Sequence, residues 1–449
     1  MSDPAAVPAG EWLTDRRAIE ALRSGVPNAD AVRVLGCDQT RVIERFESQL
    51  AAVDTDADRP GLLVAGGFGT GKSHLLTYLE GLAQAHGFVT SHVVISKETP
   101  LYDRGKVFRT AVENARVPGR TGMAIQEIAL GLRQDTPGYA ELYRWANSAE
   151  SGMAALLPAT LLLHERLNND PELVEDIRAF WAGDRIAIAR VREGLRLIHE
   201  TSAFSLRAVR LRDLAEMRFP FTARLIQAGG CRGWVVLIDE VELIGRYSLL
   251  QRARSYAELA WWLGATESGT PRGLVAVAAV TDDFAPAVLN GEKHDRDYVG
   301  PRLRDRGSDD YMALAARAEA GMRTLERDAV ALEPPTADTL AHTHARLREI
   351  HGAAYHWAPP DLGGADVSIS RPIRLHVRRW INEWDLRRLY PGEALELEEA
   401  ELSPSYDEDQ VLEVQVFEDP GEPPNEERPV AHEDQPVEPD QPVAQDPSP

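Results

Sequence analysis

The sequence predicts an α/β fold with a doubly wound parallel sheet, and two observations predict it: three apolar runs, and helical periodicity between them. The runs are residues 62–65, 234–238 and 273–280. They are apolar at nearly every position rather than at alternate ones, which suits parallel strands covered on both faces. The intervening stretches repeat apolar residues every three or four positions, the period of a helix.

Taken in order, residues 11–50 read as two helical segments around a turn at Gly25, Val26, Pro27 and Asn28. Trp12, Ile19, Ala21 and Leu22 share a face of the first; Val42, Ile43, Phe46 and Leu50 line the second. A polar connection over residues 54–60 leads into the first strand, which runs directly into Gly66, Gly67, Phe68, Gly69, Thr70, Gly71, Lys72 and Ser73. That stretch fits G-x-x-x-x-G-K-[ST] between a strand and a helix, the context such a phosphate-binding loop requires. A triphosphate packs several negative charges into a small volume. Glycines let backbone N–H groups converge on its oxygens, and the helix beginning near Gly71 points its positive end at them. Lys72 is the residue to reach the β- and γ-phosphates of ATP, and Ser73 to place its hydroxyl on Mg²⁺, with His74 continuing into the helix. The architecture predicted is therefore a P-loop NTPase.

Residues 88–95 read as the next strand, and residues 102–225 as a long helical insertion broken near Pro118, Pro137 and Pro171. The run at 234–238 ends in Asp239 and Glu240, which would emerge at the carboxyl end of the sheet, where ligands bind in open α/β folds. Asp239 is the expected metal carboxylate and Glu240 the group that polarises an attacking water. The third run ends at Thr281, a candidate for orienting water or sensing phosphate, with Asp282 as the alternative; Thr281 equally suits a turn or a helix cap. Arg302 and Arg304 are candidates for an arginine finger supplied to a neighbouring subunit, in competition with the segment 246–254 and with an ordinary salt-bridged face.

Residues 335–391 read as a small C-terminal domain, helical or winged-helix, in which Arg371 precedes a helix and is placed to report nucleotide from a lid. Arg374, Arg378, Arg379, Arg387 and Arg388 make a basic patch that suits phosphates of DNA or RNA, or the acidic segment that follows. Of the net charge of −22, residues 393–449 carry −18, from 19 Asp and Glu against one Arg. Proline-rich and poor in aromatics, that tail cannot bury enough apolar surface to offset its chain entropy, and disorder is expected from about Pro404. A solubilising extension, a docking peptide and a mimic of nucleic-acid charge are its possible roles.

The 449 residues, 43% of them hydrophobic, are enough for two or three domains. The expected division is a helical segment over 1–55, an ATPase domain over 56–334 with its insertion at 102–225, a lid-like domain over 335–392 and the tail over 393–449. Two cysteines without a CxxC pair fit a reducing cytoplasm, and no apolar run approaches the ~20 residues that span a bilayer. A soluble, cytoplasmic protein is expected. Metal-hydrolase, acyl-transfer and thiol-redox chemistry lack their motifs: H-E-x-x-H, G-x-S-x-G and a cysteine pair are all missing.

The combination of phosphate loop, acidic strand end, Thr281, the arginines near 302 and Arg371 resembles the AAA+ (ASCE) branch of P-loop ATPases, and within it the origin-recognition and loader type. Residues 17–27, 66–74 and 239–242 resemble the ATP-binding proteins of BREX phage-defence systems, of the BrxD-like kind. That resemblance implies an accessory Mg·ATP-dependent ATPase in bacterial antiviral defence. It also implies action on DNA or a DNA-bound partner, helicase-like or methyltransferase-containing partner proteins, and a possible homo-oligomer. The alternatives are a nucleotide-operated signalling switch with little turnover and a DNA-binding module regulated by ATP.

Overall fold

The structure, a computed structural model, describes residues 11–53, 60–266, 269–362, 371–391, 406, 408 and 409. Its elements are α1 (Glu11–Ser24), α2 (Ala29–Leu35), α3 (Thr40–Ala51), β1 (Leu62–Ala65), α4 (Lys72–Ala85), β2 (Val89–Val94), α5 (Arg104–Glu113), α6 (Ala124–Gly131), α7 (Pro137–Ala146), α8 (Leu156–Arg166), α9 (Pro171–Ala182), α10 (Ile188–Leu197), α11 (Leu211–Ala228), β3 (Trp234–Asp239), α12 (Leu249–Trp262), β4 (Leu274–Val280), α13 (Asp295–Arg304), α14 (Asp309–Arg327), β5 (Val330–Ala331), α15 (Ala337–Tyr355) and α16 (Ile373–Leu389). Pro137 and Pro171 each open a helix, where the missing N–H leaves no intrahelical bond unmade.

The strands pair in parallel in the order β2-β3-β4-β1-β5. This is an α/β sheet compatible with a P-loop NTPase fold. Every residue of β1, β3 and β4 is buried, because helices cover both faces. Alternate residues feed two cores: Leu63, Ile238 and Ala278 face the helices of the insertion, while Val64, Leu237 and Val277 face Phe46 of α3 and Leu75, Leu76 and Leu79 of α4. Fully burying such a side chain contributes about 1.5–3 kcal/mol, so the apolar runs recruit helices to each face. The insertion helices are anchored by aromatic contacts. Phe219 of α11 stacks on Trp234 of β3 at 5.4 Å and meets Phe108 of α5 and Trp262 of α12 edge-on.

Two expectations need correction. The second helical segment expected before residue 50 is two helices, because Gly36, at φ 68, ends α2 by donating its N–H to Val32 at 2.8 Å. Left-handed backbone at a helix end is a glycine signal, and here it separates α2 from α3. The helices near the N-terminus are also not a separate segment in packing. Ala18, Ile19 and Leu22 of α1 and Ala31 of α2 share one core with Leu340, Leu347 and Ile350 of α15 and Val377, Trp380, Ile381 and Trp384 of α16. Among the described residues, 335–391 contain α15 and α16 and no strand. Of the expected disordered tail, Tyr406, Glu408 and Asp409 are described and are held against the turns after β3 and β4; the rest lies outside the described residues, as does most of the expected connection at 54–60.

Candidate functional site

The strongest group of functional side chains gathers at the carboxyl ends of β1 and β3. From β1 the chain passes through the glycine-rich loop, whose Gly66 N–H donates to the carbonyl of Val280 at the end of β4. Gly69 and Gly71 have φ of 77 and 108, a region that L side chains rarely adopt, so the loop needs glycine at both positions. Gly71 leads straight into α4, whose first N–H groups have no side-chain cap.

Lys72 is buried, and its Nζ donates to the carbonyls of Gly66 (2.8 Å) and Gly67 (3.2 Å). Its ammonium therefore lies over the loop, where it is held by weak neutral acceptors that a phosphate oxygen would outcompete. The Ser73 hydroxyl donates to Asp239 Oδ2 at 2.6 Å, joining the two strand ends across the tip of β4. Burial alone would raise the Asp239 carboxyl. The Ser73 hydroxyl, the neighbouring His92 imidazole and the Glu240 N–H outweigh it and hold the group below the usual carboxylate range. His92 Nε2 stands 3.8 Å from Asp239 Oδ2, too far for a hydrogen bond.

Glu240 is exposed and sits in left-handed backbone, φ 59 and ψ 37, a conformation that costs a non-glycine residue of order 1 kcal/mol and clusters at functional sites. Partial burial and the adjacent Asp239 raise its carboxyl above the usual value, in the direction that makes a better proton acceptor. Glu242, two residues on, closes the 239–242 phrase and has no chemical role assigned from the sequence. Its Oε1 is 3.9 Å from Lys72 Nζ, its Oε2 is buried without a hydrogen-bond partner, and burial pushes its carboxyl up to about 7. The lysine lowers it, but at that distance the attraction does not offset desolvation.

Thr281 is buried at the tip of β4, and its hydroxyl bonds the hydroxyl of Tyr406 at 2.7 Å. The carboxylate of Asp282 instead stands beside Gly67, 3.8 Å from where a Cβ would be. Arg302 and Arg304 lie on α13 with both guanidinium groups engaged by their own chain: Arg304 pairs with Glu319 of α14 at 2.7 Å, and Arg302 lies over the Tyr298 ring. The competing segment is occupied too, since Arg246 pairs with Asp409, and Arg252, almost fully buried, pairs with Asp295 and Glu408.

Arg371 is exposed, and the residue of α16 that reaches the phosphate loop is Arg374, one helical turn on. The Arg374 N–H donates to the Gly69 carbonyl at 3.2 Å, and its guanidinium lies over the Phe68 ring at 5.5 Å. Its Nε is buried without a hydrogen-bond partner, and it passes so close to Gly25 that a Cβ there would be 2.5 Å away. The signal for this placement was the glycine turn at Gly25, whose role is tertiary. His74 makes a similar link, bonding through Nε2 to the Gly36 carbonyl at 2.7 Å and so tying α4 to the end of α2. The remaining arginines of α16 are partly used within the helix: Arg387 pairs with Glu383, and Arg388 with Asp385.

Serine hydroxyl, aspartate carboxylate and phosphate oxygens are hard oxygen donors of the kind Mg²⁺ takes, usually with few protein ligands and several waters. Ser73 and Asp239, already in contact, fit such an ion together with a triphosphate. No group of three or more His, Cys, Asp or Glu among the described residues forms an all-protein metal cage. No helix among them is long and apolar enough to cross a membrane.

Residues 13–130 match the family described as BREX system ATP-binding protein BrxC/D. The resemblance drawn from the N-terminal phrase and the phosphate loop holds over this stretch, which runs from α1 into α6. The match ends before β3, so Asp239 and Glu240 rest on geometry. Neither a curated protein nor a solved structure matches the chain.

Proposed function

We propose that this chain, whose phosphate loop lies within the BREX BrxC/D match, is a Mg·ATP-dependent AAA+ ATPase that drives conformational change on DNA or a DNA-bound partner within a BREX-type antiphage assembly. One observation carries the reading: Ser73 at the start of α4 and Asp239 at the end of β3 meet at 2.6 Å beside Lys72, across 166 positions of sequence. That is the donor pair and cation a nucleotide–metal complex needs, gathered at the N-terminus of a helix.

When bound, Mg²⁺ supplies charge neutralisation for the phosphates. Ser73 and Asp239 would hold it, and Lys72 would leave the Gly66 and Gly67 carbonyls for phosphate oxygens. Loop N–H groups orient the triphosphate, and Glu240 accepts a proton from the attacking water. Arg374, on the far side of the loop, favours the nucleotide's negative charge and links α16 to it. Because α16 shares a core with α1, α2 and α15, a change at the loop is passed to that helical group as a unit.

The deciding experiment is the ATPase rate of the full chain against double- and single-stranded DNA at two salt concentrations, with Glu240→Gln as control. Stimulation by DNA that the control abolishes supports the proposal. A low rate indifferent to DNA removes the DNA coupling and leaves a nucleotide-operated switch.

A further inference from the structure

The turns after β3 and β4 form a groove beside the candidate nucleotide site, sharing only Thr281 with it. One wall is the 3-10 turn Val241–Arg246, the other the π-helical turn Ala285–Leu289 with Phe284 before it. Three residues of the acidic C-terminal region fill it. The Tyr406 ring enters edge-on to Phe284, with centroids 5.9 Å apart and planes at 84°, and lies over Gly245. A Cβ at Gly245 would come within 2.7 Å of Tyr406 Cδ1, so the slot exists because that residue is glycine.

The side chains of Tyr406, Glu408 and Asp409 each have a partner. The Tyr406 hydroxyl donates to Asp283 Oδ1 at 2.9 Å; with its one proton so placed, it accepts from the Thr281 hydroxyl at 2.7 Å. Arg252 Nη1 donates to Glu408 Oε1 at 2.8 Å. Arg246 Nη2 donates to Asp409 Oδ2 at 2.8 Å, and the Asp409 N–H donates back to the Arg246 carbonyl at 3.1 Å. Ring, hydroxyl, two carboxylates and a backbone N–H are all read, by residues on two turns and a helix. A solvated acidic tail would make no such set of contacts.

We propose that this groove is a binding site for an acidic, tyrosine-bearing peptide, and that its resident ligand is the chain's own segment carrying Tyr406, Glu408 and Asp409. Docking engages Thr281, at the tip of the strand between the phosphate loop's strand and that of Asp239, so peptide and nucleotide occupancy are coupled. That coupling rests on the nucleotide reading above; the docking does not.

The test is hydrogen exchange followed by mass spectrometry on the full chain. The Asp409 amide, which donates to the Arg246 carbonyl, is expected to exchange at least tenfold more slowly than an amide of free chain. Tyr406→Ala abolishes that protection, while Tyr406→Phe, which keeps the ring, retains part of it. A labelled synthetic peptide of residues 401–413 should bind the full-length Tyr406→Ala protein, whose groove is vacated, but neither the wild type nor a Gly245→Ala, Tyr406→Ala double variant. Exchange at the rate of free chain in the wild type, or peptide binding unaffected by Gly245→Ala, overturns the site. Protection that rises with protein concentration assigns the segment to a neighbouring copy and overturns docking within one chain. If Mg·ATP binds but leaves the protection unchanged, the coupling through Thr281 is overturned; if Mg·ATP does not bind at all, the nucleotide reading fails while the groove stands.

Discussion

At the ends of β1 and β3 three polar groups bond within the cluster: Ser73 bonds Asp239, Lys72 bonds the loop's own carbonyls, and Glu240 donates its N–H to Asp239. At the end of β4, which lies between them in the sheet, Thr281 is satisfied by Tyr406, 125 positions further along the chain. The first set is a pre-organised cluster whose members lie in short motifs next to their strands. The second is completed by a remote segment and is therefore open to exchange of that segment for something else. Neighbouring strand ends in one sheet can thus carry a fixed and a replaceable polar environment.

Variants at the two ends separate these behaviours. The largest effect is expected for Glu240→Gln, which should keep nucleotide binding and slow hydrolysis roughly 10²- to 10⁴-fold, the usual range for a lost general base; steady-state turnover at saturating ATP measures it, and a wild-type rate would remove Glu240 from that role. Lys72→Ala removes the equivalent of one charge-assisted hydrogen bond, about 1.5–3 kcal/mol, so affinity for a fluorescent ATP analogue should fall roughly tenfold to a hundredfold. At the β4 end, Thr281→Val should lower turnover by about tenfold with little change in affinity, as expected for one neutral hydrogen bond made in the transition state. If Thr281→Val matched Glu240→Gln, the contrast between the two ends would collapse.

Smaller effects test the walls of the site. Arg374→Ala should weaken nucleotide binding by up to about tenfold, and Arg371→Ala by less, because Arg374 is the one against the loop. Titration calorimetry on both variants gives the ranking, and the reverse order would restore Arg371. The smallest concerns pH. Glu242 titrates at about 7 in the fold against an ordinary value of 4.5, so the folded state binds its proton more tightly than the unfolded state. Its contribution is then complete below the ordinary value and is lost as pH rises toward the folded one. The Tm of the nucleotide-free wild type should therefore fall relative to Glu242→Gln between about pH 5 and about pH 7.5, and parallel curves would show that Glu242 ionises normally.

What could be read in advance follows from range. A central parallel strand must be apolar throughout, and a phosphate loop must hold its glycines, lysine and serine within a few residues; both are local demands, so β1, β3 and β4 were legible as runs and the loop as a motif. The break between α2 and α3 was equally local, at Gly36, but one left-handed residue is a weak signal inside a helical pattern. Arg374 was visible only as part of a basic patch. Its place on the loop depends on Gly25 giving its guanidinium room and on α16 packing against α1, neither of which periodicity reports.

The sequence by itself determined the α/β class, the covered strands and a glycine-rich loop between strand and helix, because each is written in residues close together and enforced by burial or backbone sterics. Tertiary structure alone decided which arginine meets that loop, that the first helices share a core with the last, and that Tyr406 lies on Thr281. These depend on pairs far apart in the chain, whose meeting is set by the packing of whole elements and leaves no pattern in either partner's neighbourhood.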